Sequence, residues 1–344
     1  MEKKHMGFLK NIFTKGTQPV RTNSKFWDWF KANEKTFFGV VKNNKDIESN
    51  FFQKLSTKLD ELKDGFFFLA GMLNDNTVEL IITADGNIKN IVFAEELVAQ
   101  APSIKGWKFT ALKPPIDANV EMNGYSFNSE DLFFYSNVDK NYPDKIDISI
   151  IHNALTEENK NQIETGVYVF LDNYLGELNF VNTIDNIDVI ARNEATDDLV
   201  PITKLKDFLI WREKEFVEKY DGVRYNTVDD EHAVMEAELE SGNRLIATVN
   251  TKLLEWDSKP SHPWIAVLII KYKGSGGMPD KKDQEILYTI QEDVEKELAD
   301  KDGYLTVGRQ TAKNEREIYF ACKEFRKPSK VLFNIEKNMP LSIA

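Results

Sequence analysis

Residues 65–84 read GFFFLAGMLNDNTVELIITA, and the fold turns on the period of this run. Upstream, apolar residues recur at every third or fourth position. Trp27, Phe30, Phe37 and Phe38 follow Ser24, a candidate N-cap, and Ile47, Phe51, Leu55, Leu59 and Leu62 share one face of a second helix. At residue 65 the pattern changes. GFFFLAGM and TVELIITA flank Leu73-Asn74-Asp75-Asn76, a strand, turn and strand arrangement. IKNIVFAEELVAQAP reads as a helix ended at Pro102, and GWKFTALK as a strand stopped by Pro114 and Pro115.

The order strand, strand, helix, strand then returns. DLFFYSNV and KIDISIIH are separated by a turn containing Pro143. Thr156 is a candidate N-cap for a helix whose stripe is Ile163, Val167, Phe170, Tyr174 and Leu178, and IDNIDVIAR follows as a strand. ITKLKDFLIWREKEFVEKY is predicted to be a connecting helix stopped at Asp221-Gly222. Beyond it, AVMEAELE and RLIATVNT flank Ser241-Gly242-Asn243 as a hairpin. WIAVLIIKY is a buried strand, Ile286, Ile290, Val294 and Leu298 form a helical stripe, and GYLTVGRQTA with REIYFACK makes a second hairpin. These patterns predict an α+β fold in two domains, with mixed or mostly antiparallel sheets and helices packed on one face. The boundaries are a tail at 1–23, an α+β domain at 24–200 containing the two repeated units, a connecting helix at 201–222 and a second α+β domain at 223–344.

With 42% hydrophobic residues, 29% charged and 23 Phe among 344, the chain has a globular composition. A formal charge of −12 argues against nucleic acid, whose affinity comes from Lys and Arg neutralising phosphates. The single cysteine, Cys322, rules out an internal disulfide and fits a reducing compartment. At the N-terminus, MEKKHMGFLKNIFTKG is basic and partly apolar, but Lys10 and Asn11 interrupt it before a signal-peptide core is reached. A cytoplasmic protein without a membrane span is therefore expected.

KYKGSGGMPDKKD, at 271–283, places three glycines between a strand and a helix, the order used by phosphate cradles. It lacks the GxxxxGK[ST] spacing, Pro279 removes a donor, and Asp280 and Asp283 put carboxylates at the helix's positive end. A turn leading into an acid-capped helix is the better reading.

From about 238 to 323 the chain carries a set of features: the hairpin at Gly242, His262-Pro263-Trp264 opening a strand, and Gly277-Met278-Pro279 before the helix. Gly308-Arg309 and Arg316-Glu317 leading into Tyr319-Phe320 complete the set. In these features the region resembles the bacterial family called domain of unknown function 695. The family's Tyr-Phe-Tyr ending is replaced here by Tyr319-Phe320-Ala321-Cys322. The resemblance implies a compact α+β domain, sometimes found beside a domain like regulator of ribonuclease activity B, and carries over no catalytic residues.

Local chemistry is sparse. His5, His152, His232 and His262 stand singly, without metal-ligand spacing. Asp229-Asp230-Glu231-His232 is the densest cluster, but alternate residues of a strand face opposite ways, which favours a solvated strand start. Cys322, in IYFAC, reads as a packed thiol. Arg309, Arg316 and Tyr319 could gather across the last hairpin to hold an anion or a partner's carboxylate, or pair with Glu315 and Glu317 on a solvated face. Trp27, Trp29, Trp107, Trp211, Trp256 and Trp264 suit cores and interfaces. No cofactor or metal is expected. Two function classes follow: a binding or regulatory protein whose partner presents a basic surface, or an enzyme, a hydrolase for example, with carboxylate or arginine chemistry in a cleft between the two halves.

Overall fold

The computed structural model describes residues 21–140, 142, 144–216, 224–256 and 259–338. Most of the 1–23 tail, including His5, lies outside them, as do Pro143 and the Asp221-Gly222 helix stop. Two compact units are formed, one from the described part of Met1–Asp85 with Ala94–Leu112, the other from Gly86–Phe93 with the chain from Lys113 onward.

The first unit begins with helix α1 (Asn23–Asn43). Thr22 is its N-cap and accepts the Lys25 N–H at 3.3 Å, so Ser24 is already inside the helix. A π-turn, Glu48–Phe52, runs into α2 (Gln53–Leu62). Strands β1 (Phe67–Asn74) and β2 (Thr77–Thr83) pair antiparallel around Asp75 and Asn76, where the alternating pattern placed the turn. Helix α3 (Ile88–Ala99) returns the chain so that β3 (Trp107–Ala111) lies parallel to β2. Aromatic rings hold the helices to this sheet: Trp27 meets Phe109 at 4.6 Å, Phe30 meets Trp107 at 4.9 Å, and Phe37 meets Phe51 at 5.0 Å. Trp27 also donates its indole N–H to the Leu97 carbonyl at 2.7 Å, which satisfies the polar end of a buried ring.

In the second unit, β4 (Val120–Met122) and β5 (Tyr125–Phe127) form a small hairpin. A four-stranded sheet follows in the order β8-β7-β6-β9, from β6 (Phe133–Asn137), β7 (Asp147–Ile151), β8 (Asn186–Ile190) and β9 (Val200–Pro201). β6 and β7 are antiparallel, and β7 and β8 are parallel, joined through α4 (Lys160–Leu175) and α5 (Glu177–Thr183). Both sheets are thus a hairpin followed by a helical crossover. Asn159, not Thr156, stands before α4, and Thr156 donates its N–H to the Asn159 side chain in the preceding turn. Ile163, Val167, Phe170 and Tyr174 are buried as the stripe requires. Leu178 falls in α5 instead, because Gly176, at φ 79°, breaks the helix. Helix α6 (Leu205–Phe216) closes this region.

The last sheet is antiparallel throughout, in the order β10-β11-β13-β14-β12. Its strands are β10 (His232–Glu238), β11 (Arg244–Asn250), β12 (Trp264–Lys271), β13 (Tyr304–Ala312) and β14 (Glu315–Cys322), and the short helix α7 (Thr251–Leu254) follows β11. Helices α8 (Lys281–Glu297) and α9 (Arg326–Asn338) pack on one face. Leu287, Val294 and Val331 from the helices meet Leu268, Ile270, Ile318, Phe320 and Cys322 from the strands there. The fold class is α+β. No helix of the described residues is long and apolar enough to cross a membrane.

Candidate functional site

The last hairpin carries alternating faces, and that alternation decides which predicted residues meet. On β14, Arg316, Ile318, Phe320 and Cys322 are buried toward the helices, and Glu315, Glu317 and Tyr319 turn the other way. On β13 a register shift between Thr306 and Gly308 leaves Arg309 on the helix side, opposite Thr248 of β11 and Ile318 of β14. Gly308 makes the shift feasible: a Cβ there would lie 2.4 Å from the Thr248 carbonyl oxygen.

The structure therefore brings Arg309 and Arg316 together and excludes Tyr319. Tyr319 donates its hydroxyl to Glu317 on the opposite face, where burial and that carboxylate raise its pKa to about 12. Tyr288 of α8 takes the third place. Its ring centroid is 4.9 Å from the Arg309 guanidinium carbon and 5.3 Å from that of Arg316, both within cation–π range. The Gln284 hydrogen bond and then the two arginine charges draw the Tyr288 hydroxyl below its usual pKa. Sequence reasoning missed Tyr288 because it stands two residues off the apolar stripe and nothing local says which strands it leans on.

Arg316 is almost fully buried. Its Nε–H donates to Thr311 Oγ1 at 3.0 Å, and Nη1 has no hydrogen-bond partner. Burial first, and the Arg309 charge second, lower the guanidinium's pKa. Arg309 donates from Nη1 to Gln291 Oε1 at 2.8 Å, and Gln291 donates onward to Glu295 Oε1 at 2.8 Å. Neither arginine forms an ion pair with a described carboxylate.

A cavity of about 370 Å³ opens beside these groups, between the flank of α8 and strands β10, β11 and β13. Gln291 and Glu295 of α8 line it, together with Thr248 of β11 and Thr306, Gly308 and Arg309 of β13. Asp300 also lines it, already accepting the Thr227 N–H at 3.0 Å and hydroxyl at 3.1 Å.

The other candidates have structural uses. Asp230 accepts from Arg224 and, at 2.7 Å, from Asn250, whereas Glu231 pairs with Lys252 at 3.2 Å, so the acidic cluster diverges. Cys322 is buried, and burial lifts its thiol to about 12. His152 accepts the Ala154 N–H at 3.2 Å and reaches the Ser126 carbonyl at 3.3 Å. In the glycine-rich loop, Asp280 is the N-cap of α8 and accepts the Asp283 N–H at 2.8 Å. Loop groups are also tied to the β13–β14 turn: Gly274 N–H donates to Asn314 Oδ1 at 3.2 Å, and the Gly277 carbonyl accepts the Asn314 N–H at 2.9 Å.

Residues 225–343, which contain the two-arginine cluster and its cavity, match a family of unknown function (DUF695). No curated protein and no solved structure matches the chain.

Proposed function

We propose that the protein is a binding or regulatory protein that works through contact with another protein, and that its partner presents a basic surface. The observation that carries this reading is the uneven placement of charge. Residues 113–216 hold 20 Asp and Glu against 9 Lys and Arg, a net −11, whereas residues 21–112 hold 12 of each. Most of the chain's excess negative charge thus belongs to the β6–β9 sheet region, with a smaller net −4 in residues 217–344 and +3 in residues 1–20.

Topology concentrates it further. The pairs Phe133↔Ile151, Ile151↔Ile190 and Phe133↔Pro201 put the start of β6 and the ends of β7, β8 and β9 at one end of the sheet. The connections that begin or end there expose Glu130, Asp131, Glu157, Glu158, Asp197 and Asp198, with Arg192 and Lys204 as exposed cations among them. A predominantly acidic rim steers an oppositely charged partner and repels acidic ones. On this reading the protein acts in the cytoplasm.

Affinity purification from native cells tests it, comparing the wild-type chain with one in which those six carboxylates are replaced by amides. The wild type should retain a protein with a basic surface, released by salt, and the amide variant should not. Identical captures by both chains would remove the acidic rim from the interaction. A small-molecule turnover abolished by a few carboxylate mutations would replace this reading with the enzymatic one.

A further inference from the structure

The cluster beside α8 holds two cations with no acid against them. Arg316 lies beneath Tyr288 with an unpartnered Nη1, and Arg309 sits on the same ring and lines the cavity. Taking a guanidinium out of water is costly unless charge or hydrogen bonds compensate, and one threonine oxygen and an aromatic face supply part of that. An anion held by Arg309 in the cavity would offset the summed charge of the pair. We propose that this cavity binds the oxyanion head group, a carboxylate or a phosphate, of a small polar molecule.

The donors suit such a group. Arg309 spends one N–H on Gln291 and reaches the Tyr288 hydroxyl at 3.5 Å, which leaves further N–H donors of its five in the fork geometry that matches two oxygens of one oxyanion. Tyr288 stands outside the cavity lining and orients Arg309, through its ring at 4.9 Å and its hydroxyl at 3.5 Å. Thr248 adds a hydroxyl-bearing side chain to the lining, and the Thr306 hydroxyl is turned to Glu295 at 3.5 Å. Arg316 is a positioning residue: buried behind the ring, it holds positive potential where the anion sits without touching it.

Two lining carboxylates, Glu295 and Asp300, limit the rest of the ligand. Glu295 follows Gln291 by one helical turn and is bound to its amide, so opposite charges stand at the two sides of a single glutamine. A second anionic group is disfavoured there, and a hydroxyl or ammonium is favoured. A volume of about 370 Å³ lies at the small end of ligand pockets, roughly 300–1,000 Å³, which points to a metabolite-sized molecule. This site is independent of the acidic rim, so either proposal can fail alone.

Calorimetric titration of the full chain at constant ionic strength provides the test, with inorganic phosphate, succinate and neutral succinamide as probes. At least one of the two anions should bind saturably at one site and raise the melting temperature, and succinamide should do neither. A response to phosphate alone would assign a phosphate ligand, and a response to succinate alone a carboxylate. Arg309→Gln should weaken the anion at least tenfold, and Tyr288→Phe by a smaller factor. Arg309→Lys, which retains the charge and loses the fork, should fall between wild type and Arg309→Gln. If neither anion saturates, or if a folded Arg309→Gln chain binds as tightly as wild type, the assignment is overturned.

Discussion

His262 packs edge-on against Trp256 at 5.3 Å, with Nδ1 2.7 Å from Ser261 Oγ and a buried Nε2 that has no partner. Protonation would place a charge where nothing receives it. Burial, followed by the Lys323 and Arg224 charges, lowers its pKa from 6.5 to about 4. The unfolded chain therefore binds the proton more readily. His262 contributes its full stability above pH 6.5 and loses it as pH falls toward 4, with an upper bound of about 3 kcal/mol. Urea unfolding across that range should show this loss in wild type and a smaller one in His262→Leu. Arg316 makes the opposite case, a buried charge that stays. Replacing it with Met removes an uncompensated cation and keeps the volume, so stability should be unchanged or rise by about 1 kcal/mol, measured by the same unfolding. A loss of several kcal/mol would mean that its bond to Thr311 and its ring contact outweigh its desolvation. Of the candidate site, Arg309 and Arg316 were legible because polar residues in an apolar hairpin stand out. Tyr319 was misplaced by parity: it is three residues from Arg316, and an odd separation along a strand reverses the face.

Secondary structure was more legible than its ends. The hairpin around Asp75 and Asn76 and the crossover helices followed from a change of period, which only the chain's own pattern sets. Helix starts did not. Thr22 and Ser24 are both acceptable caps, as are Thr156 and Asn159, and tertiary geometry selects between them. Close packing was also hidden, as two glycines illustrate. In the middle of α4, changing Gly166 to Ala would ordinarily gain about 1 kcal/mol of helix propensity. Here the new Cβ would lie 2.0 Å from the buried Phe127 ring, and overpacking costs about 1–3 kcal/mol, so net destabilisation is expected. Gly308→Ala meets the Thr248 backbone oxygen at 2.4 Å, an atom fixed by the β11–β13 ladder, and should cost about 3 kcal/mol or more. Chemical denaturation of both variants checks the ranking, and a Gly308→Ala chain as stable as wild type would show that β13 can slide at its bulge.

For the whole molecule, net charge conceals an arrangement. A value of −12 could describe a uniformly acidic surface, yet residues 113–216 account for −11 and residues 21–112 for none. Those two regions repeat the same hairpin and crossover architecture, so fold does not require the difference. Charge of this kind acts mainly on encounter. The Debye length is about 8 Å at physiological ionic strength and about 3 Å at 1 M, so salt removes long-range steering before it loosens docked contacts. For a basic partner, kon should fall steeply with salt and koff should change little. Amide substitution of Glu130, Asp131, Glu157, Glu158, Asp197 and Asp198 should lower kon at low salt and flatten its salt dependence. An equal number of substitutions in 21–112 should leave the slope near wild type, because that region has no excess to remove. Surface-plasmon kinetics over a salt series separates these outcomes. If both sets of substitutions changed the slope equally, total charge rather than its placement at the β6–β9 sheet would govern association.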